Sequence, residues 1–375
     1  MRGPLGALAL EELWHARCPV PTPLSIAVQL GWVEEALYRL SGTRLRSLFE
    51  TNDPTEPAHY HESSLPNSFR QGGNVPAIWA RANGQQTRVI GLSWTDEYQA
   101  IIAMPQSKIR AGSDLRGRRI GIPLHAVNID HSRAAAKRAF AVVLESEGLT
   151  FDDVELIDLP DDAIPTATCN GRVIGTGTGR RGHYSYSNEV QALARGAVDV
   201  VYVKDTRGAQ ATHLLGADVV VDIGFHPDRN IRINNGTPRP LTVSQYLLDE
   251  HPDIVRCLLA QVVIAGEWAG RHANRTVTLI GREIGWSENW VRYAYGAELH
   301  QHLGLSLAKP HIEALNTYKN FLFQDGFLPG DFDARAWIDP APLSDVLRAL
   351  PREHIKAVCH DFGPRTLHAN HATLH

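Results

Sequence analysis

The chain of 375 residues has four cysteines, and none lies near another: Cys18, Cys169, Cys257 and Cys359. Without a C-x-x-C pair, neither a zinc ribbon nor a thioredoxin-type dithiol is indicated. No apolar run approaches the roughly 20 residues needed to span a bilayer. There is no internal repeat and no low-complexity tract. Excess charge of one sign is also missing: the formal net charge is −4, so no basic face is available for broad nucleic-acid binding. The first ten residues are mildly apolar, but Glu11 and Glu12 follow at once and no small-x-small cleavage site precedes them. They are expected to pack or fray rather than to direct export. The expected setting is the cytoplasm, with free thiols, no membrane and a monomeric working unit.

What is present suggests two α/β domains. The length fits two domains, and 43% hydrophobic residues with eight Trp supply the cores. Apolar spacing predicts a helix over Leu24–Leu40, entered through Pro21 and Pro23. Strands are expected at Leu45–Phe49, Val89–Trp94, Gln99–Met104, Ile120–Pro123, Val154–Leu159, Val198–Val203 and Val219–Ile223. Helices are expected after the diglycine at 72–73, over Arg133–Gly148 and through Glu189–Arg195, and the chain reads mostly helical over Pro252–Gly270 and Glu288–Phe323, with a frayed end at His360–His375. Gly171–Ser187, rich in Gly, Arg and Tyr, reads as a long loop. The alternation predicts an α/β fold: residues 1–104 plus 224–375 as a discontinuous first domain, 105–223 as an inserted second, and a cleft between them.

The segment richest in chemistry is Arg17-Cys18-Pro19-Val20-Pro21, followed by His59-Tyr60-His61 and Arg70-Gln71-Gly72-Gly73. An arginine's planar fork donates hydrogen bonds in pairs to an oxyanion. Adjacent glycines let backbone N–H groups cup one. A cysteine supplies a proton as the thiol or a nucleophile as the thiolate. Each also has a plainer reading: a buried structural cysteine, a surface arginine, structural histidines. His59 and His61 would share one face of a strand. The His-x-His pair lacks the H-E-x-x-H context and a cysteine partner, so no metal is expected. Gly177-Thr178-Gly179-Arg180-Arg181-Gly182 fits G-x-G-x-x-G. No helix start follows it, and a dinucleotide site needs strand–turn–helix. A lid bringing Arg181 or Tyr184 to the cleft is the functional alternative, and an exposed loop the plain one. Trp79, Trp94 and Tyr98 are candidates for the walls of an aryl pocket or for ordinary core.

Cys18-Pro19-Val20-Pro21, Gly31-Trp32-Val33-Glu34-Glu35-Ala36, His59-Tyr60 and Arg70-Gln71-Gly72-Gly73-Asn74-Val75-Pro76 together resemble the aryl sulfinate desulfinases. Asp114–Ile122, Asp152–Leu156 and Ala194–Val200 resemble them too. Those three stretches are shared with the type 2 solute-binding proteins of ABC importers and report the fold. The resemblance implies a two-domain type 2 periplasmic-binding-protein-like fold, no metal and no organic cofactor. It implies hydrolysis of an aromatic sulfinate, a hydroxybiphenyl sulfinate or a relative, with release of sulfite. Cys18, His59, Arg70 and Gly73 match its catalytic positions, with His61 the rival to His59. Gly72, His61, Tyr60, Trp94 and Tyr184 are the expected substrate contacts. The chain departs from the pattern around Glu62, where a tyrosine is expected, between Ile122 and Phe151, and in the Gly171–Ser187 loop. A binding protein for an anionic aromatic or a sulfonate, without turnover, is the alternative. A pyrimidine-precursor enzyme of the same fold is a third reading, but the cysteine cluster it needs is missing.

Overall fold

The first element is a strand, β1 (Glu12–Arg17), whose Leu13 and His15 are buried on one face. A computed structural model describes residues 10–48, 63–160 and 186–350, with the backbone of Ala167–Cys169 and Arg172–Ile174. After β1 come α1 (Pro23–Gln29), α2 (Trp32–Ser41), β2 (Arg44–Ser47), β3 (Ser68–Gln71), α3 (Asn74–Ala82) and β4 (Thr87–Ser93). Next are β5 (Gln99–Ala103), β6 (Arg119–Leu124), α4 (His131–Ser146), β7 (Glu155–Pro160), and the hairpin of β8 (Ala167–Cys169) with β9 (Arg172–Ile174). Then follow α5 (Ser187–Ala194), β10 (Val200–Lys204), α6 (Asp205–Leu215), β11 (Asp218–Asp222) and β12 (Arg239–Ser244). The last part is helical: α7 (Gln245–Glu250), α8 (Pro252–Arg271), α9 (Ala273–Ile284), α10 (Glu288–Tyr295), α11 (Lys309–Gln324) and α12 (Ala341–Ala349).

Two five-stranded sheets organise these elements. The first runs β2-β1-β3-β12-β4 and the second β11-β5-β10-β6-β7. In each, parallel pairs are mixed with antiparallel ones contributed by strands that arrive from across the molecule. The chain passes from the first sheet to the second between Ser93 and Gln99, and returns between Asp222 and Arg239. The first crossing thus falls before the expected boundary at 104, because β5 pairs with β10 and β11 rather than with β4.

One apolar core joins the sheets. It holds Leu13, Phe69 and Leu241 of the first sheet, Ala100, Ile102 and Val201 of the second, and the inward face of α8. Trp32 meets Trp268 edge-on within it, ring centroids 6.0 Å apart. A second core lies under α4, and a third under α3 and α11.

The helix expected over Leu24–Leu40 is two helices. Gly31 sits at φ +75°, a left-handed conformation that glycine takes without steric cost, and it turns the chain between α1 and α2. Within the segment expected as a loop, Arg172–Ile174 pairs with Ala167–Cys169 and α5 begins at Ser187, while residues 175–185 lie outside the described residues. No described helix is long and apolar enough to cross a membrane.

Candidate active site

Strands β1 and β3 are parallel neighbours, with Ala16 opposite Arg70 and Arg17 opposite Gln71. The register carries Cys18 beside Gly72, just past both strand ends. The Cys18 N–H extends the ladder by one bond, donating to the Gln71 carbonyl at 3.2 Å. Cys18 is therefore a strand-end residue. Thr22 separates it from α1 and caps that helix, its Oγ1 accepting from Ser25 N–H at 3.1 Å.

Gly72 is glycine because the sulfur occupies its side-chain space. A Cβ built there would stand 2.2 Å from Cys18 Sγ and 2.7 Å from Cys18 Cβ. Gly73 has an unremarkable backbone, φ −53°, and yields its space to another neighbour. Its Cβ would fall 2.5 Å from Asn235 Oδ1. Cys18 is half-buried. Arg70 is 2% exposed. Its guanidinium donates from Nη1 to the Gly73 carbonyl at 2.9 Å and from Nη2 to Cys18 Sγ at 3.3 Å.

Helix α3 begins at Asn74, directly after the diglycine, and no side chain of Gly73 caps it. Among the described residues no acceptor meets the N–H of Gly72 or Gly73. A buried guanidinium, the diglycine backbone donors and the positive end of a helix all belong to the turn that meets the sulfur. That combination attracts an anion.

Two neighbours hold this turn. Gln71, fully buried, accepts from Leu24 N–H at 3.2 Å and donates to Ser93 Oγ at 3.3 Å, tying α1 to the sheet. Asn74, also fully buried, donates to the carbonyls of Asn234 at 2.9 Å and Pro238 at 3.0 Å. Both stand in the motif around the diglycine. Asn234 and Asn235 do not, and the sequence reading missed them. Their one signal is the turn-forming run Asn234-Asn235-Gly236-Thr237-Pro238.

His59, Tyr60, His61 and Tyr184 lie outside the described residues, as does the stretch from Gly177 to Gly182. Trp94 packs among Val75, Ile78 and Leu315, stacks on His311 at 5.6 Å, and donates from Nε1 to Asp96 at 2.9 Å. Arg229 lies over its ring at 4.4 Å. Tyr98 is core, its hydroxyl 2.9 Å from Thr212 Oγ1, and burial pushes its phenol above the usual range. Burial also raises the Cys257 thiol.

No protein-family model matches the chain. The curated 2'-hydroxybiphenyl-2-sulfinate desulfinases of Rhodococcus erythropolis and Rhodococcus qingshengii are each 27% identical to it over 371 residues, covering 90% of this chain and 94% of theirs. Among solved structures, the desulfurization enzyme DSZB matches with a TM-score of 0.68 at 25% identity, over 90% of this chain and 99% of that one. A serine-for-cysteine mutant of DSZB in complex with biphenyl-2-sulfinic acid matches with a TM-score of 0.71 at 24% identity, over 90% of this chain and 99% of that one. The periplasmic aliphatic sulphonate binding protein SsuA from Escherichia coli shares the fold, with a TM-score of 0.59 at 15% identity, over 88% of this chain and 92% of that one. The chain thus has a periplasmic-binding-protein-like α/β fold and resembles the aryl sulfinate desulfinases over nine-tenths of its length.

Proposed function

We propose that this protein hydrolyses an aryl sulfinate, 2'-hydroxybiphenyl-2-sulfinate or a related aromatic, to the arene and sulfite, without a cofactor. The observation that carries this reading is the 3.3 Å approach of Arg70 Nη2 to Cys18 Sγ beside a diglycine turn whose N–H groups meet no acceptor among the described residues. A plain anion-binding site has no use for a sulfhydryl at that point. The resemblance to named desulfinases over 90% of the chain supports the same reading.

The chemistry follows from the arrangement. Arg70 and the backbone N–H groups of the turn hold the sulfinate oxygens, with the ring toward Cys18. The thiol gives its proton to the ring carbon that bears sulfur. The carbon–sulfur bond breaks, its electron pair restores the aromatic ring, and sulfur dioxide departs. Water adds to sulfur dioxide to form bisulfite, and the proton released returns to the thiolate. A bound sulfinate favours this order, since its charge disfavours a second anion on sulfur. His59, or His61, is the group proposed to orient the thiol. The step is the carbon–sulfur cleavage of an aromatic desulfurisation, and the reactive thiol suits the reducing cytoplasm.

The test is a sulfite assay on a panel of aryl sulfinates, run beside Cys18→Ser. Wild type should release sulfite and arene in equal amounts. Cys18→Ser should bind the sulfinate and release none. A wild-type protein that binds the sulfinate tightly and never yields sulfite is a binding protein, and the proposal fails.

A further inference from the structure

Asn235 lies in the return crossing between the sheets, against the opposite side of the diglycine from Cys18: the missing Cβ of Gly72 faces the sulfur, and that of Gly73 faces the Asn235 carboxamide. The residue is 6% exposed. Its Oδ1 accepts from Val75 N–H, in the first turn of α3, at 3.2 Å. That bond fixes which end of the amide is oxygen, because only oxygen can accept there. Nδ2 is then left as the donor end. It would stand 3.4 Å from a Cβ at Gly73, and among the described residues it has no hydrogen-bond partner.

The backbone of Asn235 is held just as firmly. Its N–H donates to Asn234 Oδ1 at 2.7 Å, and its carbonyl accepts from Lys204 Nζ at 2.7 Å. Lys204 is the last residue of β10 in the second sheet and pairs with Glu97 at 2.7 Å. Nδ2 is not among the sealed, unpartnered polar atoms of the interior, so a ligand can reach it. The donor lies beside Gly73, on the turn that also carries Arg70 and leads into α3, where an anion would satisfy it.

We propose that the Asn235 carboxamide is a further substrate-binding group: its Nδ2 donates to the oxyanion held on the Arg70–Gly73 turn, opposite the sulfur of Cys18. This rests on the desulfinase reading for the identity of the anion, an aryl sulfinate. Asparagine is suited to the position because it accepts from Val75 and donates to the ligand at once. Aspartate keeps the first function and loses the second.

The experiment measures calorimetric affinities in the Cys18→Ser background, with and without Asn235→Asp and Asn235→Ala, for biphenyl-2-sulfinate and for neutral 2-hydroxybiphenyl. Asn235→Asp retains the acceptor for Val75, so its melting temperature should stay near that of the parent. It should weaken sulfinate binding by about ten- to a hundredfold, the range for a lost charge-assisted hydrogen bond, and leave 2-hydroxybiphenyl within about twofold. Asn235→Ala should weaken the sulfinate similarly, which removes simple repulsion by the new carboxylate as the explanation. Sulfinate affinity unchanged in both variants, or equal losses for the two ligands, overturns the proposal. If the wild-type protein binds the sulfinate but releases no sulfite, the desulfinase reading falls while these affinities still decide the role of Asn235. If it binds no aryl sulfinate at all, both fall.

Discussion

Arg70 Nη2 lies 3.3 Å from Cys18 Sγ, although the two residues are 52 positions apart in sequence. The other arm of the same guanidinium donates to the Gly73 carbonyl at 2.9 Å, so the arginine bridges the turn and the thiol at once. A lysine in this place is a point charge on a flexible stem and cannot span both. Arg70→Lys should therefore raise KM for an aryl sulfinate by about ten- to a hundredfold, the loss of one charge-assisted hydrogen bond. Steady-state sulfite release across a range of substrate concentrations checks this. An unchanged KM would remove Arg70 from substrate binding.

Gly72 offers a test of the sulfur's seat. Any side chain there collides with both Sγ and Cβ of Cys18, at 2.2 and 2.7 Å; rotation about χ1 can swing the sulfur away, but Cβ stays with the backbone while the Cys18 N–H is bonded to Gln71. Gly72→Ala should cost about 1–3 kcal/mol of stability as overpacking and lower sulfite release by more than about tenfold, since a small displacement of a reacting group is expensive. Adding Cys18→Gly deletes the clashing atoms. The double variant should regain most of the lost melting temperature but no activity. If the double variant is as unstable as Gly72→Ala, the clash lies elsewhere.

Much of this was legible in the sequence, and the reason differs from element to element. Gln99–Ala103 and Val200–Lys204 announce themselves as buried strands because continuous β-branched and apolar runs fit a sheet covered on both faces. The diglycine before α3 is readable because glycine pairs signal close approach. β1 was not readable: Glu12-Leu13-Trp14-His15-Ala16-Arg17 mixes charge, aromatics and a buried histidine, and its pairing with β3 is set by residues more than fifty positions away. Asn235 was hidden for the same reason. Its meaning comes from a contact with Gly73 and Val75 across 160 positions, and nothing local distinguishes it from an ordinary turn residue.

The crossings between the sheets are pinned by one buried carboxylate. Glu97, in the outgoing crossing, accepts from Lys204 Nζ and from Arg239 Nη2, each at 2.7 Å. Its side chain is 1% exposed and that of Arg239 is 0% exposed. Breaking a buried pair strands charge without water, which costs more than the pair itself contributes. Glu97→Gln leaves Lys204 and Arg239 both uncompensated and should lower unfolding free energy by about 3–5 kcal/mol, read by urea titration. Glu97→Gln with Lys204→Met should recover part of that loss, because one stranded cation is gone. A loss below about 1 kcal/mol, the surface ion-pair range, would show that water reaches this cluster.

His15 makes stability depend on pH. It lies on β1 beside Phe69, ring centroids 6.1 Å apart, and is 3% exposed. Its Nδ1 has no hydrogen-bond partner among the described residues. Burial first, and the charge of Arg17 second, push its pKa from 6.5 down to about 3. The unfolded chain therefore binds a proton at His15 below 6.5 that the folded chain refuses until about 3. Within that window the unfolded state gains as pH falls, by about 1.4 kcal/mol per pH unit. Between pH 6.5 and pH 5 the wild-type protein should lose about 2 kcal/mol that His15→Leu does not lose. Above pH 7 the two should differ little in slope, since His15 is neutral in both states. Urea unfolding of both proteins across pH 5 to 8 measures the difference directly. Parallel curves throughout would mean that the folded protein accommodates a charged imidazole at this position, which a buried ring beside an arginine should not.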